Sequence, residues 1–136
     1  MANASLKNKL DKLKGDGFFD NLVIKRGIEK EFFRVNKNGY ISNKLHPESL
    51  GSALTNRYIT TDFAEAQVEL VTPVFEDVNA LYDFLYSLHV FVAQNIDKNE
   101  MLWPFSMPPR IKKESDINLG FYHQSNIGLL KHVYRK

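Results

Sequence analysis

The segment of residues 60–73, TTDFAEAQVELVTP, alternates two kinds of side chain through its centre. One row of the alternation is small or apolar and the other is mainly polar: Ala64, Ala66, Val68 and Leu70 against Glu65, Gln67, Glu69 and Val71. Because successive side chains of a strand point to opposite faces, this period of two predicts a strand with one face buried. Such a strand needs a neighbouring strand and a covering layer, so the fold must contain a sheet.

Other periodicities in the chain predict an α+β fold, an antiparallel sheet with helices packed on one side. Residues 24–35 predict a second strand, and the turn NKNG at 36–39 predicts a hairpin whose return arm is YIS. Apolar residues at three- and four-residue steps over 77–96 predict a long helix with Asp77 as its N-cap. Shorter helices are predicted after Ser5, over 47–54 and from Ser125, while the prolines of MLWPFSMPPR predict loop or extended chain.

Length and composition indicate one globular domain, because the 136 residues are 43% hydrophobic and 25% charged. The net charge of +2 is too small to indicate a nucleic-acid partner. The chain has no cysteine, which excludes disulfides and thiolate metal sites and suits a reducing compartment. It also contains no apolar run of membrane-spanning length. We therefore expect a cytoplasmic protein that binds neither nucleic acid nor membranes.

Carboxylates are grouped on the two predicted strands. Glu29 and Glu31 are two residues apart, so they project from one face with about 7 Å between their Cα atoms. Glu65 and Glu69 share a face of the other strand, and Asp62 stands just ahead of it, where a loop could fold it over the sheet. The simplest interpretation is the solvent-exposed face of a half-buried antiparallel sheet.

A second interpretation is a partly covered metal site, because the two acidic rows continue into the apolar residues Phe33 and Val71. Carboxylates grouped in a covered site repel one another unless cations compensate. Mg²⁺ and Mn²⁺ are the natural compensators, since these hard ions accept carboxylate oxygens and keep positions for water or phosphate. Neither acidic strand contains histidine, which argues against zinc. The residues therefore point to metal-assisted phosphoryl chemistry.

Three segments, in this order and spacing, closely resemble the amino-terminal part of bacterial-type glutamate–cysteine ligase: GIEKEFFRVNKNG, HPESLGSALTNRYITTDFAEAQVELVTP and WPFSMPP. The resemblance runs from about Arg26 to Arg135. It implies a piece of the glutamine-synthetase-like carboxylate–amine ligase fold, with metal ions on the floor of an antiparallel sheet. It also implies an ATP-dependent reaction in which glutamate becomes γ-glutamyl phosphate and the amine of cysteine displaces phosphate, the first step of glutathione biosynthesis.

Residue roles implied by the resemblance follow the family motifs. Four acids match the family's metal-binding carboxylates: Glu29, Glu31, Asp62 and Glu69. Tyr134 matches a tyrosine that lines the cysteine pocket, and Arg135 matches an arginine near the transferring phosphate. The resemblance attaches no role to Glu65. The implied cofactor is Mg²⁺ or Mn²⁺, with ATP as co-substrate and glutamate and cysteine as substrates.

The family's chain continues well beyond this one, and its later part supplies further metal ligands and most nucleotide and glutamate contacts. We therefore expect residues 1–136 to be a single, truncated amino-terminal portion of the ligase catalytic domain, inactive alone and completed by a chain carrying the remainder. The alternative is a non-catalytic module derived from the ligase that binds metal or protein through an open sheet edge.

Overall fold

A four-stranded antiparallel sheet forms the centre of the computed structural model, which describes residues 2–122 and 125–134. The strands are β1 (Glu29–Asn36), β2 (Ile59–Thr61), β3 (Gln67–Val71) and β4 (Glu100–Leu102), in the spatial order β2-β3-β1-β4. The helices are α1 (Ala2–Gly15), α2 (Val78–Asn95) and α3 (Asn126–Tyr134). The expected α+β class with an antiparallel sheet is confirmed. None of the helices in the described ranges is long and apolar enough to cross a membrane.

Strand register assigns each residue of the sheet centre to one of two faces. Glu31 of β1 is paired with Glu69 of β3, and Thr60 of β2 is paired with the same Glu69 from the other side. One residue along, Phe32 is paired with Val68 on the opposite face. Because side chains alternate along each strand, one face is apolar and the other carries the acids.

The apolar face packs against α2 and forms the core. The buried cluster joins strand residues to one side of the helix and to a neighbouring turn: Phe32, Leu50, Ile59, Val68, Leu70, Leu88 and Val92. As predicted, Asp77 is the N-cap of α2, and its side chain accepts a hydrogen bond of 2.7 Å from the backbone N–H of Ala80. Burial of this face holds the sheet in register, since a slip of one residue would expose the apolar row.

Several element boundaries differ from the sequence-based predictions. The first strand begins at Glu29 and not at Ile24, and α1 begins at Ala2, before the predicted cap Ser5. The turn after Asn36 forms as predicted, with Gly39 at a φ of 75°, but its return arm forms isolated bridges at Tyr40 and Ile41 and no strand. The opposite side of β1 pairs with β4, whose residues Met101 and Leu102 begin the segment predicted to be loop or extended chain. The helix predicted over 47–54 is one 3₁₀ turn, Glu48–Leu50.

Candidate active site

The acidic face of the sheet carries the four acids to which the resemblance assigns metal binding. Glu31 and Glu69 are directly opposed on neighbouring strands, and Glu29 lies two residues before Glu31 on the same face. Asp62 follows the end of β2, and its backbone N–H donates a 3.1 Å hydrogen bond to the carbonyl of Gln67. We define the acidic face by these four residues. Tertiary pairing, and not proximity in sequence, creates it.

Electrostatic coupling is centred on Glu69. Partial burial raises the pKa of its carboxyl, and the charges of Asp62, Glu31 and Glu29 raise that pKa further. The ammonium group of Lys131 on α3 acts in the opposite direction. Like charges so arranged disfavour ionisation, so the acidic face gains from any cation that settles on it.

The chemistry of the donor set fits a hard divalent cation, because every donor on the acidic face is a carboxylate oxygen. Within residues 2–122 and 125–134, however, no three carboxylate or imidazole side chains come close enough to hold a metal ion by themselves. Glu31 is also engaged in a 2.5 Å hydrogen bond from the side-chain amide of Gln67. The acidic face therefore supplies part of a coordination sphere, and a bound cation would need further ligands.

Glu65 does not belong to the acidic face, which corrects the expectation that it shares a face with Glu69. A turn closed by the 2.9 Å hydrogen bond from Gln67 N–H to the Ala64 carbonyl precedes β3, so the alternation does not form strand there. Glu65 is buried, and its two carboxylate oxygens accept hydrogen bonds from the backbone N–H groups of His46 (2.7 Å) and Phe121 (2.6 Å). Its role is to join two loops.

The two remaining predicted site residues lie at the end of the chain. Tyr134 is the last residue of α3, and its side chain is 84% exposed. Arg135 lies outside the described residues. Neither role assigned to these residues by resemblance is tested by the structure.

The structure also forms two polar pairs that the sequence analysis did not single out. Arg34 is fully buried in β1 and forms a 2.8 Å ion pair with Glu100 of β4. A signal for Arg34 existed, because it follows Phe32 by two residues and so stands in the buried row of its strand. Lys131 and Tyr122, which contact each other near the acidic face, had no such local signal.

The protein-family model for glutamate-cysteine ligase matches residues 11–136, nearly the whole chain. The chain belongs to the glutamate–cysteine ligase family. This confirms the resemblance drawn from the three segments.

Individual relatives agree with the family match. The chain is 48% identical over 113 residues to the glutamate–cysteine ligase of Erwinia tasmaniensis and 49% identical over the same length to that of Yersinia pseudotuberculosis. Each match covers 83% of this chain but only 22% of the relative. This member of the family thus spans about a fifth of the length of those ligases.

Solved structures support the same fold. A glutamate–cysteine ligase from Francisella tularensis in complex with AMP superposes with a TM-score of 0.77 at 37% identity, over 82% of this chain and 22% of that one. A bifunctional glutathione synthetase from Pasteurella multocida gives a TM-score of 0.68 at 32% identity, over 82% of this chain and 15% of that one. The α+β structure described above therefore corresponds to one part of the glutamate–cysteine ligase fold.

The raised pKa of Glu69 makes the stability of the metal-free protein depend on pH. Because its folded-state pKa is raised, the folded chain retains this proton at pH values where the unfolded chain has released it. Stability is therefore lost as the pH rises from the ordinary glutamate value through the raised one. We expect Glu69→Gln to increase the melting temperature at pH 7 and to leave it unchanged near pH 4.

Thermal unfolding followed by circular dichroism at low ionic strength measures this effect, since salt screens exposed charges. Glu114→Gln, at an exposed position on a separate 3₁₀ turn, is the matched control and should change the melting temperature at neither pH. A lower melting temperature for Glu69→Gln at pH 7 would contradict the expected repulsion.

Proposed function

We propose that this chain is the amino-terminal portion of a cytoplasmic ligase that joins the γ-carboxylate of glutamate to the amine of cysteine with consumption of ATP. The observation that carries the proposal is the acidic face, where four acids of β1, β3 and the end of β2 are coupled by charge in a chain of the glutamate–cysteine ligase family. Charge coupling at Glu69 supports the same interpretation, because a bound cation would relieve the repulsion between the acids.

Glu29, Glu31, Asp62 and Glu69 would hold Mg²⁺ or Mn²⁺ in this proposal. When bound, the divalent cation neutralises phosphate charge that otherwise repels an attacking carboxylate. The opposed pair Glu31 and Glu69 supplies oxygens from two strands, so the rigid sheet sets their spacing. Asp62 supplies an oxygen from the loop beyond β2, so its placement depends on what holds that loop.

Tyr134 and Arg135 have proposed roles that rest on the family motif. Tyr134 would line the pocket for the cysteine substrate, and its exposed ring at the end of α3 is accessible for such a contact. Arg135 would donate hydrogen bonds to oxygens of the transferring phosphate, because a guanidinium group offers several donors in one plane. Both residues would lie beside the reactants that the acidic face orients.

The main partner of this chain would be the rest of the ligase, the part of the relatives' length that this chain does not match. We call it the remainder, whether it continues the same polypeptide or is a complementary chain. Several apolar side chains of α3 are largely exposed: Ile127, Leu129, Leu130, Val133 and Tyr134. Patches of this kind are typical of surfaces that another protein segment covers. The remainder would also supply the additional metal ligands that the acidic face needs.

A chimeric ligase tests the proposal. In it, this chain replaces the matching 113-residue region of the Erwinia tasmaniensis enzyme, and phosphate release is measured with ATP, glutamate and cysteine. We expect phosphate release from the chimera and none from the 136-residue chain alone, because the chain lacks most of the relative's length. Glu69→Gln in the chimera should lower the rate at least about 100-fold, the effect expected for loss of a group that stabilises transferring charge.

Glu114→Gln in the same chimera is the control and should retain the parent rate, since its side chain is exposed and lies on another element. An active chimera whose rate is unchanged by Glu69→Gln would refute the role of the acidic face. Turnover by the isolated chain would refute the proposal that it is a portion of the site.

The second candidate is a non-catalytic module that binds metal or protein. The exposed apolar side of α3 favours it, as do the sheet edges at β2 and β4. The chimera distinguishes the two candidates, because a module that has lost catalytic competence would leave the chimera inactive although folded.

A further inference from the structure

The loop that carries Asp62 is bound along its length by a later segment of the chain, residues 118–122. Leu119 forms an isolated antiparallel bridge with Ala64, and the N–H of Glu65 donates 2.8 Å to the carbonyl of Asn118. The N–H of Gly120 donates 3.0 Å to the carbonyl of Phe63. These contacts join positions more than fifty residues apart, so the loop beyond β2 is held by tertiary contacts.

Tyr122 contacts Asp62 directly. Its ring is buried, and its hydroxyl group donates to the carbonyl of Thr61 and, at 3.2 Å, to that of Asp62 itself. Its φ of 46° is the only positive value at a non-glycine position in the described residues. A left-handed backbone at a residue with a Cβ costs about 1–2 kcal/mol. The contacts of the hydroxyl and ring must offset that cost.

Close packing leaves little freedom around this tyrosine. A Cβ added at Gly120 would stand 2.8 Å from a ring carbon of Tyr122 and 3.3 Å from the hydroxyl oxygen of Thr61. Contacts shorter than about 3.4 Å force atoms to move in a densely packed interior. The ring of Tyr122 is therefore confined between Gly120 and the end of β2.

Lys131, on α3, contacts both the hydroxyl and the ring of Tyr122. Its ammonium group donates a 2.5 Å hydrogen bond to the hydroxyl of Tyr122 and lies 4.0 Å from the centre of the ring. The same charge acts on Glu69, whose pKa it lowers against the effect of the neighbouring acids. Lys131 thus links α3 to both the loop of Asp62 and the acidic face.

We propose that Tyr122 and Lys131 are positioning residues that hold the backbone of Asp62 at the acidic face, ready to ligate a divalent cation. The proposal rests on the proposed function only for the cation; the positioning itself is a property of the metal-free chain. Lys131 donates to the phenol oxygen, and the phenol proton is directed at the two carbonyls, so each polar group of the pair has a defined partner. In this proposal neither residue contacts the substrates.

The test uses Tyr122→Phe in the full chain, which removes the hydroxyl and keeps the ring. Amide hydrogen exchange at Asp62, measured by NMR without metal, should accelerate about 5–10-fold, the equivalent of one lost hydrogen bond. In the chimeric ligase, where the remainder supplies further metal ligands, the Mn²⁺ dissociation constant measured by electron paramagnetic resonance should increase about 10-fold, as is usual when a residue that orients a ligand is removed. Exchange at amides of α2 should not change.

Three further variants sharpen the result. Lys131→Met should reproduce the faster exchange at Asp62, and Lys131→Arg should restore the wild-type rate, because arginine can still donate to the phenol oxygen. Tyr82→Phe, at an exposed position of α2, is the matched control and should behave as wild type in both measurements.

Wild-type exchange at Asp62 in Tyr122→Phe would overturn the positioning role. Equal acceleration at Asp62 and throughout α2 would also overturn it, because the hydroxyl would then serve general stability. A chimera with the wild-type sequence of this chain that binds no Mn²⁺ would count against the proposed metal site alone, and the exchange measurement would still decide the positioning role.

Discussion

Replacing Arg34 by methionine is expected to destabilise the chain by about 3–5 kcal/mol, the usual cost of removing one partner from a buried ion pair. The side chains of Arg34 and Glu100 are 0% and 2% exposed, and 2.8 Å separates Nη1 from Oε1. The guanidinium also donates to the carbonyls of Lys44 (2.9 Å) and Glu65 (3.1 Å). The substitution therefore leaves the buried carboxylate of Glu100 with only the Ser42 hydroxyl as donor, and it leaves the two carbonyls without the guanidinium donor.

Urea denaturation monitored by circular dichroism measures this loss. Lys25→Met is the control, because it breaks the exposed pair of Lys25 with Glu76 and should cost no more than about 1 kcal/mol. The double variant Arg34→Met with Glu100→Met should recover much of the loss, since paired apolar replacements often match a buried ion pair. A cost for Arg34→Met no larger than that for Lys25→Met would contradict the interpretation.

Replacing Glu65 by alanine is expected to cost about 3 kcal/mol, because two backbone N–H groups lose a charged acceptor. Glu65 is 4% exposed, and its carboxylate joins the loop at His46 to the segment at Phe121. Glu65→Gln should cost roughly half as much, since the amide keeps one acceptor oxygen and turns a donor toward the second N–H.

Urea denaturation also measures this effect, and hydrogen exchange at His46 and Phe121 localises it. Glu114→Ala provides the control at an exposed position and should change stability by less than about 0.5 kcal/mol. Equal stabilities of Glu65→Ala and Glu114→Ala would show that the carboxylate does not join the two loops.

Local periodicity predicted the elements that are long or strongly patterned. The 3.6-residue spacing located α2 and its cap Asp77, and the period of two located β3 from Gln67 onward. The predicted ends of the elements were wrong where tertiary contacts compete with the local sequence pattern. Ala64 and Ala66 continue the alternation in sequence, yet a turn forms there because Glu65 is drawn to the backbone of two other loops.

The sequence by itself determined which residue types share a strand face, because a period of two places Glu29 with Glu31 whatever the neighbouring strand is. It also carried the family motifs. Only the tertiary structure decided that Glu31 opposes Glu69, because register depends on burying the apolar row against α2. It likewise decided that Arg34 meets Glu100 and that Tyr122 holds the loop of Asp62. Such pairs join distant positions, and no local pattern specifies which of many possible partners a buried polar group will find.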